Sequence, residues 1–146
     1  MCGFIGCFIF GSSKASIADI DAITRKSAFE RIRYRGRDSD GIYEDNNILL
    51  MHSRLAIHDV TSNGAQPFLI DSGRYALAFN GEIYNYHELK QTLMASERIS
   101  LRSSSDTEIL AYWLAYSRNN TPEASLNGDW SFCFYGRFTR TILLSR

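Results

Sequence analysis

The sequence lacks any apolar run near the roughly 18 residues that a membrane-spanning helix requires,. Its apolar start, Phe4 to Phe10, has no basic leader and no small-residue cleavage site behind it,. No membrane partner is therefore expected, and the location is read as cytoplasmic. Net charge is also missing: 16 Lys and Arg balance 16 Asp and Glu. Nothing favours nucleic acid or an anionic surface as a partner. There is no CxxC or HxxxH spacing, so no metal site is expected,. The three cysteines, Cys2, Cys7 and Cys133, are an odd number without framework spacing, as reduced thiols would be,. Prolines number two, Pro67 and Pro122, and no glycine-rich phosphate loop occurs,. Repeats, low-complexity tracts and an interdomain linker are absent too. What remains is 146 residues, 45% hydrophobic and 22% charged, a size and balance suited to one globular domain,.

Along the chain, "GFIGCFIF" (3–10) is apolar on both alternations and predicts a strand covered on both faces,. Ile17, Ile20, Ile23 and Ala28 recur at helical spacing, with Ser16 before them and Gly36 behind, predicting a helix over 17–33,. "RGRDSDG" (35–41) reads as a polar loop,. Two short strands follow across an Asp45-Asn46-Asn47 turn, then a loop through "VTSNGAQPF",. "YALAFNGEIYN" (75–85) predicts a strand, a glycine turn and a second extended piece,. "YHELKQTLMAS" and "SDTEILAYWLAYSRN" predict helices, the second opened by a Ser105/Glu108 capping box,. "NGDWSFCFYG" and "RTILLSR" predict a hairpin of two buried strands. Strands and helices are grouped rather than alternating, which favours antiparallel sheets with helices packed outside. A buried strand running to Arg146 also suggests a piece of a longer protein,.

Four stretches carry candidate chemistry, each with a plainer alternative. Cys2 becomes N-terminal if Met1 is removed, and its small side chain favours that removal. Its thiol, with a pKa of about 8.5, would then share a carbon with an α-amine of about 7.7–8.0. One residue could supply nucleophile and base. A lone cysteine in an apolar strand is more often simply packed. Asn80 and Gly81 could offer a side-chain amide and a backbone N–H to an oxyanion, or could form a tight turn,. Arg54 could grip an α-carboxylate, or pair structurally with Asp38 or Asp59,. Asp106, with Glu82, could receive an ammonium, or Asp106 could merely cap a helix,. His52 and His58 read more readily as surface or satisfied histidines than as catalysts,. Taken together, Arg54 opposite Asp106 and Glu82 would hold a free amino acid by both ends of its backbone. Its side-chain amide would then reach Cys2 and the Asn80/Gly81 donors.

This arrangement resembles the glutaminase domain of class II, N-terminal-nucleophile glutamine amidotransferases. The resemblance is carried by "MCGFIG" at 1–6, "RGRDSDG" at 35–41, "HSRLAIHD" at 52–59, "FNGEIYN" at 79–85 and "SSSDTEI" at 103–109. "RLAIHD", "GAQPF" and "NGEIYNY" look like the asparagine synthetase branch.

The resemblance implies an α+β, four-layer αββα sandwich of two mainly antiparallel sheets. It implies Cys2 as nucleophile, its α-amine as base, and Asn80 and Gly81 as the oxyanion hole. It implies Arg54 on the glutamine α-carboxylate, backbone of Ile57 and His58 along the pocket, and Glu82 and Asp106 on the α-amine. Arg35 and Asp38 would buttress the site. Arg37 stands where the family usually has proline, adding a charge to that loop. Glutamine is the implied substrate and a C-terminal synthetase domain of the same chain the implied partner. A homodimer is compatible with this pattern. No cofactor is expected in this domain; ATP and Mg belong to the synthetase half. Two other readings stay open: a glutamine-sensing or docking module without turnover, and an N-terminal-nucleophile hydrolase of other amides.

Overall fold

The computed structural model describes residues 2–11, 15–56, 61–96, 99–117 and 121–146. Seven strands form two antiparallel sheets. The first has the order β1-β3-β2, from β1 (Gly3–Phe8), β2 (Ser39–Glu44) and β3 (Ile48–Arg54). The second has the order β4-β5-β6-β7, from β4 (Phe68–Ile70), β5 (Tyr75–Ile83), β6 (Gly128–Gly136) and β7 (Thr141–Ser145). The helices are α1 (Ala22–Arg33), α2 (Tyr86–Ser96) and α3 (Asp106–Tyr116).

Three separate apolar cores show how the layers stack. Leu49 and Met51 of β3 pack against Ile17, Ala28 and Phe29 on the α1 side. Ile48 and Leu50, the alternate residues of the same strand, pack against Ala76, Ala78, Cys133 and Tyr135 of the other sheet. Leu77, Phe79, Phe132 and Phe134 turn the far face of that sheet toward Leu89, Leu93, Ile109 and Trp113 of α2 and α3. Period-two alternation therefore builds the αββα sandwich directly. A strand buried on both faces reads as a continuous apolar run, as "ILLM" does,. Each fully buried Leu, Ile or Phe contributes roughly 1.5–3 kcal/mol. Ala76 and Ala78, both wholly buried, let the two sheets close on one another.

The Asp45 turn forms as predicted, and for a local reason. Its carboxylate accepts from the N–H groups of Asn47 at 2.8 Å and Ile48 at 3.1 Å,. Tyr135 of the second sheet donates its hydroxyl to the same carboxylate at 2.9 Å.

Several elements differ from the sequence reading. The helix predicted over 17–33 is two pieces. Ser16 caps a single 3-10 turn at Ile17–Asp19, and Asp21 caps α1, accepting from Thr24 N–H at 2.9 Å,. The strand β1 is not covered on both faces; it is an edge strand, with Gly6 and Cys7 exposed. The loop 35–41 ends early, because Ser39 to Gly41 already pair with β3. The loop through Phe68 likewise gives way to β4, whose pairing with β5 begins at Phe68. Asn80-Gly81 makes no turn, and β5 runs unbroken through it along β6. The last strand, β7, lies at an edge with Leu144 62% exposed, so only its partner β6 is a buried strand. Among the described residues no helix is long and apolar enough to cross a membrane.

Candidate active site

The alternation that places Ile48 and Leu50 between the sheets continues to His52 and then Arg54, the last residue of β3,. On β5 it runs from Ala76 and Ala78 to Asn80 and Glu82. On β1, Phe4 pairs opposite His52, and Cys2 lies two residues earlier on the same alternation. All three strands thus deliver a polar residue to the same open end of the inter-sheet slit. A cavity of about 450 Å³ lies there, lined by Cys2, Arg54, Asn80, Gly81, Glu82 and Asp106 among others.

Cys2 is half-buried, and its Sγ accepts from Leu55 N–H at 3.3 Å. Its carbonyl accepts from Arg35 Nε at 2.9 Å. Gly3 leaves room for that arginine: a Cβ there would come within 2.8 Å of Arg35 Cδ. Asp38 supports the other wall. Its carboxylate accepts from Ala56 N–H at 2.7 Å, and its own N–H donates to Arg54 O at 3.0 Å. Neither Arg35 nor Asp38 lines the cavity; both hold the backbone of residues that do. Arg54 is 7% exposed and donates from Nη1 to Thr61 O at 2.9 Å. Ile57 and His58, expected along the pocket, and Asp59, one of the alternative partners for Arg54, lie outside the described residues.

Asp106 opens α3 and is buried, accepting from Ile83 N–H at 3.0 Å. That bond ties the helix N-terminus to the end of β5. The Ser105/Glu108 capping box forms by half. Ser105 Oγ accepts from Glu108 N–H at 3.4 Å, but the Glu108 carboxylate turns to the preceding loop. There it accepts from Arg102 N–H at 3.0 Å, Ser103 N–H at 2.7 Å and Ser103 Oγ at 2.7 Å. A wholly buried carboxylate is satisfied this way, and the loop that leads into Asp106 is fixed,.

The cavity lining carries charges of both signs: the acids Asp106, Glu82 and Asp129, and the base Arg54. Tyr84 donates to Asp129 at 2.7 Å, and accepting that bond the carboxylate pushes the Tyr84 phenol pKa up. Sequence reasoning missed Gln66, Thr107 and Trp130, which also line the cavity. Only the string "GAQPF" gave a hint of Gln66, and only as part of a resemblance. Among the described residues no cluster of His, Cys, Asp or Glu could hold a metal ion.

His52 is neither a surface histidine nor in the cavity lining. It is wholly buried between the sheets, its Nε2–H donating to Phe79 O at 3.0 Å. Burial drives its pKa down from 6.5 to about 4, helped by the nearby Arg54 charge and opposed by the Phe79 carbonyl and Asp40,. The folded protein therefore favours the neutral ring. That contribution is complete above the unfolded pKa of 6.5 and is lost as the pH falls toward about 4,. The loss amounts to about 3 kcal/mol. Urea unfolding at pH 7 and pH 4.5 checks it. His52→Gln, which does not titrate, is expected to lose distinctly less stability between the two pH values than the wild type.

This α+β sandwich, with a cysteine leading its first strand into a cleft, is the fold of an N-terminal-nucleophile amidotransferase. Glutamine phosphoribosylpyrophosphate amidotransferase from Bacillus subtilis, solved with ADP and GMP, superposes with a TM-score of 0.50 and 27% identity. The match covers 70% of this chain and 24% of that one. The chain belongs to the glutamine amidotransferase domain family, whose model matches residues 1–146. It is 38% identical over 139 residues to glutamine-hydrolyzing asparagine synthetase 1 of Bacillus subtilis, covering 94% of this chain and 21% of that protein. It is 36% identical over 148 residues to glutamine-hydrolyzing asparagine synthetase B of Escherichia coli, covering 96% and 25%. The chain therefore spans a quarter or less of the length of these relatives.

Proposed function

We propose that this domain hydrolyses L-glutamine to L-glutamate and ammonia through a γ-glutamyl thioester on Cys2. The observation that carries the reading is the convergence of Cys2, Arg54, Asn80, Gly81 and Asp106 on one cavity. Arg54 holds the α-carboxylate of glutamine; Asp106 and Glu82 hold its α-ammonium. The α-amine of Cys2, freed by loss of Met1, takes the thiol proton directly or through a water. The sulfur attacks the γ-carbonyl carbon, and the carbonyl electrons move onto oxygen. The Asn80 side-chain amide and Gly81 N–H stabilise that oxyanion. Its collapse breaks the C–N bond, and the nitrogen leaves as ammonia with the proton from the α-amine. Water, deprotonated by the same amine, attacks the thioester carbon; the C–S bond breaks, the amine returns its proton to the sulfur, and glutamate leaves.

Likeness to glutamine-hydrolyzing asparagine synthetases supports a further step. In the whole protein, ammonia passes to an ATP- and Mg-dependent synthetase domain of the same chain, with aspartate as acceptor.

The test is the intact mass of the purified protein before and after a diazoketone analogue of glutamine, followed by peptide mapping. Loss of Met1 and one adduct on Cys2 are expected, together with ammonia release from glutamine. Retained Met1, or processed protein that takes no adduct, would point instead to a glutamine-sensing or docking module.

A further inference from the structure

One buried pair of groups, His52 and Gln66, takes no direct part in the chemistry proposed above. Both end on the main chain of a single residue, Phe79. β4 pairs with β5 only from Phe68 to Ile70, opposite Leu77 to Tyr75, and Pro67 has no N–H with which to continue the ladder,. Two residues past Leu77, the outward N–H and C=O of Phe79 would be left bare in the interior, where Phe79 is 2% exposed,. Side chains replace the missing strand. Gln66 Oε1 accepts from Phe79 N–H at 2.7 Å, and His52 Nε2–H donates to Phe79 O at 3.0 Å. Gln66 is itself held from behind, its Nε2 donating to Thr107 Oγ1 on α3 at 3.4 Å.

We propose that His52 and Gln66 are positioning residues for the oxyanion donors, clamping the Phe79 peptide groups so that Asn80 and Gly81 face Cys2. This rests on the glutaminase reading above. The Phe79 carbonyl belongs to the peptide that carries the Asn80 nitrogen. A bond to that oxygen fixes the peptide plane that ends at Asn80 Cα, from which the Asn80 side chain departs and beyond which the next peptide carries the Gly81 N–H. His52 also stands two residues before Arg54 on the same face of β3. One imidazole therefore sets the distance across the slit between the carboxylate grip and the oxyanion donors. The cost is visible: His52 Nδ1 is buried without a partner among the described residues,. An aligned donor acts on charge that develops only in the transition state, so its misalignment slows turnover without loosening substrate.

Steady-state ammonia release from L-glutamine should be compared in wild type, His52→Leu, His52→Gln and Gln66→Met, with diazoketone labelling of each. His52→Leu removes the donor; His52→Gln places an amide N–H near the same point. For His52→Leu and Gln66→Met, kcat is expected to fall about 10- to 100-fold with KM within about twofold. Cys2 should still label to completion, and His52→Gln should recover most of kcat. A folded His52→Leu with unchanged kcat overturns the proposal, as does a rise in KM with kcat kept, or a His52→Gln that rescues stability but not kcat. Should His52→Leu fail to fold, Gln66→Met decides by the same criteria. A wild-type protein that neither turns over glutamine nor labels at Cys2 overturns the glutaminase reading itself, and this role with it.

Discussion

Replacing Cys2 with alanine is expected to abolish glutamine turnover while leaving the fold nearly untouched. The thiol packs into no core. It is half-buried at the cavity wall, and its contacts are to the Leu55 backbone, N–H at 3.3 Å and O at 3.5 Å. Those are weak, sulfur-mediated bonds, and losing them should move Tm by no more than about 3 °C. The carbonyl of residue 2 keeps its bond from Arg35 whatever the side chain, so the strand start stays in place. Alanine is also small enough to preserve removal of Met1. What disappears is the only sulfur among the described residues of the cavity lining. A nucleophile cannot be replaced by alignment or binding, so the rate should fall about a thousandfold or more. Ammonia release and thermal unfolding, measured side by side, check both halves. Turnover within tenfold of wild type would move the chemistry away from Cys2. Neither remaining thiol suits it well: Cys133 is buried, with its pKa pushed up to about 12 by desolvation, and Cys7 is on the far exposed stretch of β1.

Gly81→Ala should carry the second large effect, and here structure and chemistry fail together. Gly81 sits at φ 154°, and a Cβ on it would fall 2.1 Å from Asp129 O and 2.6 Å from Trp130 Cα. Both are main-chain atoms of β6, so no side chain can swing aside. Backbone strain and overpacking together should cost about 2–6 kcal/mol. Moving β6 away would also displace the proposed Gly81 N–H donor, worth about 10²- to 10³-fold in rate. Gly128→Ala supplies the comparison. It also has φ 154°, and its Cβ would lie 2.1 Å from Glu82 O, yet its N–H is not a proposed donor. The two variants should lose similar stability in urea unfolding, while Gly81→Ala alone loses more than a hundredfold in kcat. Equal losses of kcat would mean that Gly81 matters only as packing.

Much of this was legible where local signals and burial agree. The run "ILLM" is buried on both faces, Asp45 makes the turn its side chain favours, and α2 spans the residues its periodicity marks. The misreadings share a cause: a local signal outweighed by tertiary pairing. Asn80-Gly81 is a strong turn signal, but nine residues of β5 pair with β6, and the ladder carries the chain straight through,. Ser16 does cap, but it caps a 3-10 turn, and Ile20 stays extended before Asp21 starts the helix. Glu108 has the spacing of a capping box, yet the loop's N–H groups claim its carboxylate. Cys2, Arg54, Asn80, Gly81, Glu82 and Asp106 were singled out because their types announce chemistry, and they line one cavity. Gln66 was missed, and His52 was read as a histidine outside the chemistry, because their bonds to Phe79 span 13 and 27 residues, which no local pattern records.

The strict alternation along β3 and β5 has a consequence for how this protein can change over generations. Substitution alters one face of one layer. Insertion or deletion of a single residue within Ile48–Arg54 or Tyr75–Ile83 does something different. It reverses every side chain beyond it, sending Arg54 or Asn80 out of the slit and the apolar residues of α1's or α3's core into it,. These two strands therefore tolerate spelling changes far better than changes of length. Changes of length are expected to be tolerated only in segments that keep no such register.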